Sequence, residues 1–123
     1  MATQGAPSKN DAGQVVLAFG DAINVEDFQL ARTYAAEDLQ HTYPFGTDHG
    51  ADAYFEQLER VRPKYDTSKI FVDGDDVGVF YNVTVAGIAM FASAWFKVES
   101  GKVRSFTVVF DPRPLLAVWS PSN

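Results

Sequence analysis

The feature that most constrains this chain is a strict two-residue alternation in its second half. Over Val77 to Val85 one face carries Val77, Val79, Tyr81, Val83 and Val85, and the other carries Gly78, Phe80, Asn82 and Thr84. Over Met90 to Val98 one face carries Met90, Ala92, Ala94, Phe96 and Val98, and the other Phe91, Ser93, Trp95 and Lys97. A period of two puts successive side chains on opposite faces of a pleated strand. Turn residues punctuate the runs at Asp73-Gly74-Asp75, Ala86-Gly87 and Ser100-Gly101-Lys102, so an antiparallel meander is expected from about Lys69 onward. Its last strand shows Phe106, Val108 and Phe110 on one side.

The first half has a different period. After a polar start over Met1 to Asn10, expected to be a disordered tail, Asn10 or Asp11 can cap a helix in which Val15, Val16, Phe19, Ala22 and Ile23 share a face. Asn24 is expected to end it and to cap a short second helix with Phe28, Ala31, Tyr34 and Ala35 as its stripe. A brief strand, Leu39 to Tyr43, stops at Pro44 and Gly46. A third helix follows Gly50, with Tyr54, Leu58 and Val61 on one side, and Pro63 ends it. Helices first and a meander second define an α+β domain, expected over residues 11–116 with 117–123 as a tail.

Composition narrows the function. The net charge of −6 and the lack of a basic run argue against nucleic acid as a partner. There is no cysteine, so thiolate nucleophiles and disulfides are excluded. The start has no apolar stretch of signal-peptide type, and no apolar run approaches the roughly 20 residues of a membrane span, so a cytoplasmic protein without membrane contact is expected. Seventeen residues are aromatic (ten Phe, five Tyr, two Trp), enough for either a dense core or an aromatic-walled cavity. On the second sheet face Phe80, Phe91, Trp95 and Val109 form a patch that a monomer would expose. A homodimer through that face is expected; the alternative is that the tail, with Leu115, Leu116 and Trp119, covers it.

The order of elements resembles the nuclear transport factor 2-like superfamily, on its SnoaL-like and ketosteroid isomerase-like side. The resemblance is carried by Val15-Val16 with Phe19, by Gln40-His41-Thr42-Tyr43 before Pro44-Phe45-Gly46, by Trp95-Phe96-Lys97-Val98, by Gly101 to Ser105 and by Phe110-Asp111-Pro112-Arg113-Pro114. It implies a cystatin-like conical barrel: three N-terminal helices on a curved antiparallel or mixed sheet, with a deep pocket between them. It also implies where chemistry should sit. The isomerases' general-base Asp falls at Tyr43, their oxyanion-binding Tyr at Phe19 and their protonated Asp at Ala94. With all three groups replaced, ketosteroid isomerase activity is disfavoured. The Asp, Arg and Asp set of epoxide-hydrolysing relatives is not found on the expected inward positions either.

His41 and Tyr43 share a strand face with Leu39 and are the candidate catalytic pair, an imidazole to move a proton and a phenol to hold a carbonyl or oxyanion. The alternative is a histidine that only fixes its strand. Phe19, Tyr54, Leu58, Tyr81, Phe96, Phe106 and Phe110 are the expected ligand-binding walls. His49 beside Asp48 is read as solvent-facing or capping; with His41 these two match no familiar metal-ligand spacing, and no metal or cofactor is expected. Asp73, Asp75 and Asp76 are read as a hairpin turn, and Asp111 with Arg113 as an ion pair that ties the tail. Two functions follow: a cofactor-independent cyclase, isomerase or dehydratase acting on a hydrophobic carbonyl compound, or a non-catalytic dimeric module that binds a small hydrophobic ligand.

Overall fold

The first helix begins where an acidic residue can face the positive end of the helix dipole. In the computed structural model, which describes residues 11–119, α1 spans Asp11–Asn24 and buries Ala12, Gly13, Val16, Phe19, Ala22 and Ile23. The chain then turns through Glu26, which adopts φ 59°. The short α2, Phe28–Thr33, is capped by Asp27, whose carboxylate accepts from the Leu30 N–H at 3.0 Å. Asn24 was expected in that role. It works elsewhere instead: its Oδ1 accepts from Tyr65 N–H at 2.7 Å, and its Nδ2 donates to Tyr65 C=O at 2.9 Å. One amide thus satisfies both backbone groups of a residue on an edge strand, as a neighbouring strand would.

The strands follow: β1 Ala35–Tyr43, β2 Gly46–His49, then α3 Ala51–Val61, then β3 Lys64–Asp73, β4 Asp76–Val85, β5 Ile88–Glu99 and β6 Lys102–Phe110, with a last turn of helix, α4, at Arg113–Leu116. Three boundaries differ from expectation. Tyr34 caps α2 and Ala35 already belongs to β1, because Ala35 pairs with Val103 of β6. Gly46–His49 is a strand rather than a loop, held by pairing with β1. β3 begins at Lys64 instead of Lys69, directly after Arg62 ends α3 in the left-handed conformation at φ 50°.

The six strands form one sheet in the order β2-β1-β6-β5-β4-β3, with β1 and β6 parallel and every other pair antiparallel. Register shifts interrupt β1 against β6, β3 against β4 and β5 against β6. Such bulges bend a sheet, and here they curl it around α1 and α3. The cone stays open, since β2 and β3 are edges and do not pair with each other. Its inner face is the core: Leu39, Val77 and Val103 are fully enclosed, and Val79, Tyr81, Ala94, Phe96 and Phe106 are buried. No helix among the described residues is long and apolar enough to cross a membrane.

Candidate active site

His41 and Tyr43 lie two residues apart on β1, so both point to the inner face. His41 is 8% exposed, the one polar or charged side chain of the buried core among the described residues apart from the tyrosines. The β1–β2 register sets it directly opposite Asp48, and its Nδ1 lies 2.9 Å from Asp48 Oδ2. A carboxylate can only accept, so Nδ1 carries the proton and Nε2 presents a lone pair. Among the described residues Nε2 has no hydrogen-bond partner. The ring is clamped between Tyr43, stacked at 4.6 Å and 7°, and Phe106 at 4.6 Å, with Tyr54 edge-on at 4.9 Å.

Tyr43 is fixed from the other side. Gln57 Nε2 donates to its hydroxyl oxygen at 2.7 Å, which leaves the phenolic O–H to donate elsewhere. Burial pushes the Tyr43 pKa up, against the opposing pull of the Gln57 hydrogen bond, and the nearby Asp48 charge pushes it further. Tyr43 is therefore a neutral donor at ordinary pH. Together, an Asp48-oriented imidazole and a Gln57-oriented phenol offer one proton acceptor and one proton donor within stacking distance.

The cavity these groups face has two compartments. The first, of about 90 Å³, holds His41, Tyr43, Tyr54, Leu58, Tyr81, Phe106 and Phe110 on its walls. Its mouth lies among Phe45, Pro63, Val85, Met90, Leu115 and Trp119. The second, of about 60 Å³, lies under α1 and takes the other two expected wall residues, Phe19 and Phe96. Tyr54, Tyr65, Tyr81 and Phe106 line both and form the partition. Burial pushes all three of its tyrosines up, Tyr65 to about 12. Neither compartment has Asp, Glu, Lys or Arg on its walls except Asp21 at the rim of the second.

Three residues of this arrangement escaped the sequence reading. Asp48 was weighed only as a metal ligand with His41 and His49; the structure joins it to His41 alone, because Asp48 and His49 are neighbours on a strand and point opposite ways. Its signal was the tight turn after Tyr43, which makes 41 and 48 cross-strand partners. Gln57 lies one helical turn after Tyr54, a spacing that places it on the same face of α3. Tyr65 was hidden by the misplaced start of β3. The expected alternative for the outer patch also fails within the described residues. Leu115 and Trp119 sit at the cavity mouth, with Trp119 5.8 Å from Phe45, while Phe80, Phe91, Trp95 and Val109 remain 41–62% exposed.

An open α+β cone with helices over its concave face and a cavity between them is the architecture of nuclear transport factor 2-like proteins. Within that class the chain belongs to the SnoaL-like domain family, whose model matches residues 16–106. An NTF2-like protein of unknown function from Cytophaga hutchinsonii is 33% identical, with a TM-score of 0.84 over 94% of this chain and 99% of that one. An LEH-like epoxide hydrolase of M. tuberculosis superposes with a TM-score of 0.80 at 21% identity, over 90% of each chain. A candidate polyketide cyclase from Xanthomonas campestris pv. campestris does so with a TM-score of 0.77 at 23% identity, over 89% of this chain and 96% of that one. At that identity the last two speak for the fold alone. No curated protein sequence matches the chain.

Proposed function

We propose that this chain is a cofactor-independent acid–base catalyst acting on a small hydrophobic carbonyl compound. The observation that carries the proposal is the His41–Asp48 hydrogen bond, which turns a bare Nε2 toward an apolar cavity beside the Tyr43 hydroxyl. In the proposed reaction Nε2 takes a proton from the carbon next to the carbonyl. The electron pair moves onto the carbonyl oxygen, which accepts a hydrogen bond from Tyr43. Asp48 stabilises the imidazolium while it holds the proton. Return of that proton to another carbon gives isomerisation; its transfer to a β-hydroxyl, which leaves as water as the enolate collapses, gives dehydration; and attack of the enolate on a second carbonyl, whose oxygen takes the proton, closes a ring. Apolar walls keep bulk water from quenching the enolate.

The experiment is proton exchange. Incubated in D₂O with 2-butanone or a longer ketone, the protein should speed deuteration of the ketone's α positions, followed by NMR. His41→Ala should lower the rate by ~10²-fold or more, and Tyr43→Phe by a similar order. Asp48→Asn should change the pH profile as well as the rate, because an amide does not stabilise the imidazolium. Tight binding with exchange equal in wild type and His41→Ala would leave a binding module in place of a catalyst.

We also propose that the outer sheet face joins two copies of the chain. Phe71, Phe80 and Phe91 form a row with 6.1 Å between successive ring centroids, and Trp95 continues the same face. Gly78, opposite Trp95, leaves open space where a Cβ would stand, a shallow seat between the Trp95 and Phe80 rings for a partner's side chain.

A further inference from the structure

Gly20 lies in the interior of α1, where glycine weakens a helix relative to alanine. Packing does not require it. A Cβ built at Gly13 meets Val72 at 2.8 Å, whereas one built at Gly20 meets nothing within 4 Å. What lies over Gly20 is the second compartment, and a side chain there would fill it. The partition carries a second oddity. Tyr81 is 6% exposed and lines both compartments, yet its hydroxyl makes no hydrogen bond among the described residues. The Tyr65 ring stands edge-on to it, 5.5 Å away. Buried hydroxyls normally find partners. Here a buried donor stands unused at the join of two apolar chambers.

We propose that the second compartment is a ligand subsite that takes the saturated arm of a chain-like ketone, with a second oxygen of that ligand hydrogen-bonded by the Tyr81 hydroxyl. Gly20 keeps the subsite open. The arm runs past the partition from the His41 chamber toward Phe19 and Phe96, over walls formed by Val16 and Val79. A volume of about 60 Å³ corresponds to roughly four to six waters, or to an arm of a few carbons. The inference shares the cavity of the catalyst proposed above and rests on its carbonyl-end placement, but not on any proton transfer.

The test is a calorimetric binding series with 2-alkanones from butanone to decanone and with mono-hydroxylated 2-nonanones. On wild type, affinity should rise about three- to fourfold per methylene until the arm fills the compartment. Gly20→Met should abolish the gain for the longer ketones while binding butanone as wild type does. Gly20→Ala controls for helix propensity and should keep most of the gain. Tyr81→Phe should erase the preference of at least one hydroxylated nonanone over the parent, about five- to tenfold, and leave 2-nonanone itself unaffected. His41→Ala, whatever it does to the affinity for ketones as a group, should keep the same gain per methylene, so failure of the acid–base reading and failure of the subsite are read separately. An unchanged series in Gly20→Met, or no binding of any alkanone to wild type, overturns the proposal.

Discussion

The two faces of β4 and β5 are built from similar residues and live in opposite environments. Phe96 faces inward at 9% exposure and stacks on Phe106 at 4.7 Å, while its neighbour Trp95 faces outward at 56% exposure. Tyr81 is buried; Phe80, one residue earlier, is 41% exposed. Alternation alone does not say which aromatic face is the core. The helices decide it, because α1 and α3 bring Phe19, Tyr54 and Phe55 against one face only. The concave side is thus spent on a core and a cavity. The convex side keeps an apolar surface with only local polar ties, such as the Trp95 Nε1 hydrogen bond to Asp76 at 2.8 Å.

The sharpest way to break this contrast is a pair of adjacent truncations. Phe96→Ala removes a buried ring and should cost about 3–5 kcal/mol in urea unfolding. Trp95→Ala, measured at protein concentrations where the chain is monomeric, should cost no more than about 1 kcal/mol. Equal losses would mean that the outer face is part of the folding core.

A second effect belongs to the inner face and depends on pH. The folded-state pKa of Tyr54, Tyr65 and Tyr81 is raised, chiefly by burial, and that of Tyr65 reaches about 12. Below about pH 10 these phenols are protonated in both folded and unfolded chains, and no dependence arises. Above it the unfolded chain loses protons that the native chain retains, so stability falls with rising pH, by about 1.4 kcal/mol per unit for each such tyrosine. For Tyr65 alone the loss is about 2 kcal/mol at pH 12. Absorbance at 295 nm should show these three ionising together with the collapse of the near-UV circular dichroism. Smooth titration of all five tyrosines in a still-folded protein would contradict the burial of these three phenols.

What was legible beforehand follows the same division. Where one face is buried and the other not, the two-residue period is written into the residue types, and β4, β5 and β6 were readable for that reason. The inward aim of His41 and Tyr43 came from the same parity on β1. Elements held by backbone pairing rather than burial left no such trace. Gly46–His49 has no large apolar residue, and the first half of β3 is mostly exposed, so neither carries a period to detect. Those two stretches supply Asp48 and Tyr65, which is why the partner of His41 and the wall of the partition were missed while the candidate pair was found. Asn24 shows the same limit at a single residue: a capping side chain is recognised by its neighbours in sequence, but its partner lies 41 residues away.

The smallest expected effect on the folded chain is the most informative for the convex face. Phe91 is 62% exposed and stacks on Phe80 with ring centroids 6.1 Å apart, at one end of the outer row. In a monomer, Phe91→Asp would touch little beyond that ring and should shift unfolding by no more than about 0.5 kcal/mol. In a dimer packed through this face, the same carboxylate would be buried twice about the symmetry axis among aromatic rings. Association should then fail although folding does not. Analytical ultracentrifugation across micromolar concentrations separates the cases: wild type should sediment at twice the chain mass and Phe91→Asp at the mass of one chain, with matching circular dichroism. A wild type that stays monomeric throughout that range would show that the aromatic row serves something other than a second copy of this chain.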